Sequence, residues 1–194
     1  MRRWDIRTLE SLMTFVGYDT WVVDWACAPC GSVVVGCSYG NLKTFNVADG
    51  TMILNYNLSS RHVNPCPSPL SRFSPDGQGI CTLNGDGLLR LWSSMSRNCI
   101  RHVSHLEIDH TRSVPKWDTL KPWDIIFSSD GSRVYYSYGV FSLEVWNIHS
   151  GVVSKMCDPP PTWKVETHGG RLRDVGSSCI SPDGCCVFWS RCST

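Results

Sequence analysis

The stretch SPDGQGICTLNGDGLLRLW, residues 74–92, holds two tight-turn signals, each followed by a strand pattern. Pro75 presets φ for the first central position of a turn, and Asp76-Gly77 supplies the residues that a tight hairpin needs. A second turn over residues 85–87 leads into a strand pattern that ends at Trp92. This order of turn, strand, turn and strand predicts neighbouring half-buried β-strands.

The same order recurs along the chain. The turns equivalent to residues 74–77 are Ala28-Pro29-Cys30-Gly31, Ser129-Asp130-Gly131 and Ser181-Pro182-Asp183-Gly184. The closing glycines of the four turns are 46, 54 and 53 residues apart in chain order. Further strand patterns end in an aromatic residue at Phe45 and Trp146, as the first does at Trp92. A period of this length indicates a repeat architecture.

The repeated unit resembles the WD repeat (WD40) of β-propellers, and residues 74–92 are the closest match. The resemblance covers roughly residues 1–190. It implies an all-β fold of antiparallel blades. Because such folds host many functions, the resemblance says much about architecture and little about activity.

The resemblance also implies a buried, hydrogen-bonded tetrad in the middle blade. Its members would be His62, Thr82, Asp86 and Trp92. They would have a structural role, in which Asp86 accepts a hydrogen bond from the imidazole and fixes the turn. Tyr39 and Val140 stand where the aspartate belongs in two other repeats. Those blades are therefore expected to depend on packing more than on a polar network.

We predict a single WD-repeat domain over residues 1–194, made of three full blades and two partial ones. The predicted units are a partial blade at 1–20, blades at 21–60, 61–110 and 120–165, and a partial blade at 170–194. Either the two partial blades pair to form one composite blade, or the propeller stays an open arc with unpaired strand edges. The count is low for this family, which indicates a fragment, a short isoform or a divergent product.

The charge balance argues against nucleic-acid and membrane partners. The chain has 18 basic and 17 acidic residues, a net charge of +1, and no apolar run near the roughly 20 residues of a membrane span. Residues 1–5 lack the apolar stretch of a secretory signal, so we expect an intracellular location, cytoplasmic or nuclear. The 11 cysteines are then expected to be mostly small buried hydrophobes.

No residue pattern predicts catalysis, a cofactor or a metal. Cys27 and Cys30 have the spacing of a zinc half-site, but no second pair of ligands stands at a standard spacing. The densest set of other ligand types is His102, His105, Glu107, Asp109 and His110. These residues lie in the segment 101–122, which we predict to be an inter-blade loop. The chain is therefore expected not to be an enzyme.

The expected function is a protein–protein interaction scaffold in a larger intracellular complex, with partners that the sequence does not name. Trp117, Trp123 and Trp163 lie in or near inter-blade segments, where they can anchor a partner or pack beneath a loop. Trp4-Asp5-Ile6-Arg7 resembles a motif of substrate receptors for cullin-4 ubiquitin ligases. That resemblance implies contact roles for Asp5 and Arg7 and gives an alternative function as such a receptor.

Overall fold

The computed structural model contains β-strands and irregular segments, and no helix, among the residues that it describes. These are residues 1–18, 21–38, 40–58, 69–84, 88–104, 122–138, 142–157, 167–168, 171–172, 178–181, 183 and 186–189. This described part of the chain therefore has no helix that could cross a membrane.

Three four-stranded antiparallel sheets make up most of the described structure. Sheet I has β3 (Val22–Cys27), β4 (Val33–Ser38), β5 (Asn41–Asn46) and β6 (Met52–Asn57). Sheet II has β7 (Leu70–Phe73), β8 (Gly79–Leu83), β9 (Leu88–Ser93) and β10 (Cys99–Ser104), and sheet III has β11 (Pro122–Phe127), β12 (Arg133–Tyr138), β13 (Ser142–Asn147) and β14 (Val153–Cys157). Strands that follow one another in sequence pair with one another. The predicted all-β class is confirmed, and the four-stranded antiparallel sheets are compatible with the predicted blades.

Six further strands form two-stranded antiparallel pairs. They are β1 (Arg2–Trp4) with β2 (Ser11–Thr14), β15 (Thr167–His168) with β16 (Arg171–Leu172), and β17 (Ser178–Ile180) with β18 (Val187–Trp189). Within the described residues no sheet is closed. A propeller, its division into blades and the pairing of the two partial blades therefore stay predictions.

A serine and an aspartate fix the turn between the first and second strands of sheet II. The hydroxyl of Ser74 donates to Asp76 Oδ1 at 2.5 Å and accepts a hydrogen bond from the backbone N–H of Gly79 at 2.7 Å. Ser128 and Asp130 repeat this arrangement in sheet III. The serine hydroxyl donates to the aspartate carboxylate and at the same time accepts a backbone N–H. The local sequence therefore determines this turn.

The sheets bury their faces against one another. Sheets I and II enclose a cluster of Val35, Cys37, Leu42, Tyr56, Leu58, Ile80 and Trp92. Sheets II and III enclose a second cluster of Cys81, Leu83, Leu89, Leu91, Ile125, Phe127, Val134, Tyr136, Trp146 and Ile148. Tyr56 also crosses the first interface, since its hydroxyl donates to the carbonyl of Ser93 at 2.7 Å. Apolar burial between neighbouring sheets is therefore the main stabilising contribution.

The first strands of successive sheets lie side by side: β3 contacts β7, β7 contacts β11, and β11 contacts β17. Arg72 in β7 links three of them. Its Nη1 lies 2.9 Å from Asp24 Oδ2 in β3, and its Nη2 lies 3.8 Å from Asp124 Oδ1 in β11. Asp24 also accepts the backbone N–H of Ser71 at 2.7 Å. Charged groups thus join the three sheets along their first strands.

Two predictions need correction. Residues 101–104 belong to β10 and not to an inter-blade loop, because they pair with β9 on the side opposite to β8. Of the six cysteines whose side chains the structure describes, four are exposed, namely Cys27, Cys30, Cys99 and Cys186. The two buried ones, Cys37 and Cys81, lie on second strands, which have neighbours on both sides. The prediction of mostly buried cysteines was therefore wrong for the described residues.

The pKa of Asp130 gives a test of the serine–aspartate turn. The hydrogen bond from Ser128, with further ones from Ser132, lowers the pKa of Asp130 to about 2. Since its unfolded value is about 3.9, this carboxylate stabilises the fold above that pH, and the contribution is lost as the pH falls toward 2. We expect an NMR titration of the carboxyl carbon to place Asp130 near pH 2 and Ser128→Ala to raise its pKa.

The control is Ser74→Ala, which removes the equivalent hydroxyl from sheet II and should leave the pKa of Asp130 unchanged. An Asp130 pKa that is the same with and without the Ser128 hydroxyl contradicts this account of the turn.

Candidate partner-binding surface

The N-terminal hairpin, residues 2–14, consists of β1, β2 and the turn between them. Asp5 Oδ1 accepts the backbone N–H of Arg7 at 2.7 Å and that of Thr8 at 3.2 Å. The backbone N–H of Asp5 donates to the carbonyl of Glu10 at 2.9 Å. The Asp5 carboxylate therefore fixes this turn and the position of the Arg7 backbone within it.

The same turn follows the third strand of two sheets. Asn46 Oδ1 accepts the N–H of Ala48 at 2.8 Å in sheet I, and Asn147 Oδ1 accepts the N–H of His149 at 3.0 Å in sheet III. Asn46 and Asn147 directly follow Phe45 and Trp146, as Asp5 follows Trp4. By this equivalence β1 and β2 correspond to the third and fourth strands of a sheet.

One side of the hairpin is anchored on sheet I. Met1 and Phe15 exchange two backbone hydrogen bonds, at 3.1 and 2.8 Å. The ring of Phe15 packs edge-on against that of Phe45, with ring centroids 5.9 Å apart. Arg3 Nη1 donates to the carbonyl of Val47 at 2.9 Å. These contacts hold the hairpin in place and leave its outer side and turn uncovered.

The uncovered part of the hairpin is apolar. Ile6 is 89 % exposed, Leu9 is 75 % exposed and Trp4 is 52 % exposed, with Leu12 beside them also exposed. Trp146, the equivalent of Trp4 in sheet III, is 1 % exposed. Several exposed large apolar side chains on one short element are typical of interaction sites in soluble proteins.

Leu9 also has an unfavourable backbone conformation. Its φ is 58°, whereas the equivalent turn positions of sheets I and III are the glycines Gly50 at 74° and Gly151 at 75°. A positive φ costs an L-residue about 1–2 kcal/mol, and glycine avoids that cost. A bulky apolar residue thus stands at the turn tip where folding alone favours glycine. Such local strain is characteristic of functional positions.

Charged residues alternate with the apolar residues along the sequence of the hairpin. Arg2, Arg3 and Arg7 provide guanidinium groups, and Asp5 and Glu10 provide carboxylates. The Arg7 side chain is exposed. An apolar centre with a polar rim is the usual anatomy of a protein–protein interface.

The structure brings only some of the predicted partner-binding residues together. Asp5 and Arg7 lie in the hairpin turn, next to the exposed apolar residues. Trp123 belongs to β11, with its side chain outside the described part. Trp117 and Trp163 lie outside the described residues. Sequence reasoning missed Ile6 and Leu9, although the glycines at the positions equivalent to Leu9 were visible in the repeats.

Half of the predicted tetrad is within the described residues. Trp92 Nε1 donates to Thr82 Oγ1 at 3.0 Å in a buried hydrogen bond. His62 and Asp86 lie outside the described residues, so the complete tetrad stays a prediction. In sheet III the position equivalent to Thr82 is Tyr136. The indole N–H of Trp146 is buried there with no acceptor among the described residues.

The described residues do not form a metal site, since they contain no group of three or more histidine, cysteine, aspartate or glutamate side chains that could hold one. Cys27 and Cys30 are both exposed, and Cys30 Sγ lies 2.9 Å from the hydroxyl of Ser32. This hydrogen bond lowers the pKa of Cys30. His102 lies in β10, and residues 105–110 are outside the described part.

No protein-family model and no curated protein sequence matches the chain.

The strain at Leu9 can be measured. We expect Leu9→Gly to raise the free energy of unfolding by up to about 1 kcal/mol, because glycine tolerates the positive φ without the steric cost. The measurement is chemical denaturation at equilibrium. Gly151→Ala is the matched control in sheet III, since a Cβ there meets nothing within 4 Å and only the φ penalty remains. It should destabilise the chain by about 1 kcal/mol. A loss of stability in Leu9→Gly contradicts the assignment of strain.

Proposed function

We propose that this chain is a protein-interaction scaffold and that a protein partner docks on the N-terminal hairpin. The observation that carries the proposal is the exposure of Trp4, Ile6 and Leu9 on an element that hydrogen bonds hold in place. A hydrophobic group that is fixed before binding loses little conformational entropy when a partner covers it. Leu9 in its strained conformation strengthens the case, since it replaces a glycine that would favour folding.

The rest of the described structure supports a binding role. The sheet faces are packed against one another, so we expect a partner to meet the connections between strands, where binding residues are often placed on a rigid scaffold. The resemblance of the repeats to the WD repeat implies the same kind of role. The proposed scaffold is a binding module inside a larger complex, without catalysis or a cofactor of its own.

The hairpin surface is tested by charge substitution. We expect Ile6→Asp combined with Leu9→Asp to reduce the capture of partner proteins on the immobilised chain by at least about 30-fold, the loss expected from a central apolar contact. The measurement is quantitative mass spectrometry of the captured proteins. Met95→Asp is the matched control, because Met95 is an exposed apolar residue in the equivalent turn of sheet II. Its captured set should equal that of the unchanged chain. An unchanged set for the double variant contradicts the proposal.

A second candidate function is that of a substrate receptor for a cullin-4 ubiquitin ligase. The favouring observation is that Asp5 fixes the turn by two hydrogen bonds while the Arg7 side chain is exposed beside it. We expect Arg7→Ala to abolish binding to the purified adaptor protein of the ligase in a pull-down. Arg97→Ala, an exposed arginine in the equivalent turn of sheet II, should retain it. Full binding by Arg7→Ala excludes this candidate.

A further inference from the structure

The three sheets share one register between their second and third strands. The aromatic residue that is next to last in the third strand pairs with the residue three positions after the turn glycine. These pairs are Phe45 with Val34, Trp92 with Ile80, and Trp146 with Val134. The register therefore gives a rule for how a second and a third strand of this chain meet.

Strand β1 is a third strand without a second strand beside it. It ends at Trp4, is followed by the Asp5 turn, and pairs among the described strands with β2 alone. No described strand pairs with the backbone N–H and C=O groups of its other edge. Such an edge is a template for strand addition.

Strand β18 is a second strand without a third strand beside it. Ser181 donates to Asp183 and accepts the N–H of Cys186 at 2.8 Å, which is the turn between a first and a second strand in sheets II and III. Strand β17 packs against β11 as β11 packs against β7. Among the described strands β18 pairs with β17 alone.

The residues at these two edges are exposed where their equivalents are covered. Phe188 in β18 is 62 % exposed, although the equivalent residues Val35 and Cys81 are fully buried. Ile6 is 89 % exposed, whereas the equivalent Ile148 is 9 % exposed. Trp4 shows the same contrast with Trp146. The equivalents of these exposed residues are buried where a complete four-stranded sheet packs against its neighbour.

We propose that β18 of one copy of this chain pairs antiparallel with β1 of a second copy. The register places Val187 opposite Trp4, so that β17, β18, β1 and β2 form one four-stranded sheet shared between two molecules. This inference rests on the proposed function, because it names a second copy as the partner of the N-terminal hairpin.

A second copy fits for two reasons. Strand β1 needs a second strand beside it and β18 needs a third strand, so each edge offers the strand that the other needs. Among the described strands of one chain, β1 and β18 do not pair with each other. A head-to-tail contact of this kind occurs twice between two molecules and can then close into a ring. Two copies hold six four-stranded sheets of their own and two shared ones, a total within the range of about 4–8 for propellers.

The test uses two variants, each with one edge blocked. Ile6→Asp blocks the β1 side and Phe188→Asp blocks the β18 side, and molar mass is measured by size-exclusion chromatography with light scattering. We expect the unchanged chain to have twice the 21.8 kDa mass of one copy. Each variant alone should be a monomer. An equimolar mixture should recover a dimer, because the intact β18 of one variant can pair with the intact β1 of the other.

Circular dichroism of each variant and Met95→Asp as a charge control confirm that folding is retained. A mixture that dimerises shows by itself that both variants are folded. A monomeric unchanged chain at about 100 μM, or a Phe188→Asp variant that dimerises as well as the unchanged chain, overturns the inference.

Failure of this inference is distinguishable from failure of the proposed function. If the chain is a monomer but Ile6→Asp with Leu9→Asp loses captured proteins of other kinds, the hairpin is a binding surface and its partner is not a second copy of this chain. If the captured set is unchanged and the chain is a monomer, both are wrong.

Discussion

The packing of apolar side chains between neighbouring sheets is the interaction on which the arrangement of the three sheets depends most. A four-stranded sheet with two apolar faces is not stable alone, because those faces must be buried against neighbouring sheets. Arg72 adds contacts between the first strands of the three sheets, with Asp24 in β3 and Asp124 in β11. Because its side chain is partly exposed, these ion pairs add little free energy compared with the two apolar clusters.

The strands and turns were predictable from sequence because their causes are local. A proline or serine with Asp-Gly determines a turn within four residues, and the aromatic end of each third strand is read directly. The Arg72 contacts were not predictable, since Arg72 and Asp24 are 48 residues apart and meet only after two sheets have packed. The burial of Cys37 and the exposure of Cys27 also depend on which strand has neighbours on both sides. Period and composition do not contain that information.

The candidate site divides in the same way. Asp5 and Arg7 were found because a short motif contains them, and the structure shows that the Asp5 carboxylate is engaged with the turn backbone. Ile6 and Leu9 were missed because an apolar residue in sequence is expected to be buried. The repeats held a signal for Leu9, since it replaces a glycine. They held none for Phe188, whose equivalents are buried by packing against a neighbouring sheet.

A repeat protein contains its own reference states. Trp4 and Trp146 occupy the same position of the same structural unit, so they share the residue type and the local turn geometry. The difference in their exposure is therefore caused by the sheet that packs beside Trp146 and has no counterpart beside Trp4 among the described residues. An isolated exposed tryptophan needs no explanation, because apolar atoms contribute much of any protein surface. Several exposed residues that all fall on the same junction of the repeat do need one. The pairing between second and third strands then specifies the geometry of the proposed partner as a β-strand in a defined register. Composition alone could not provide that geometry.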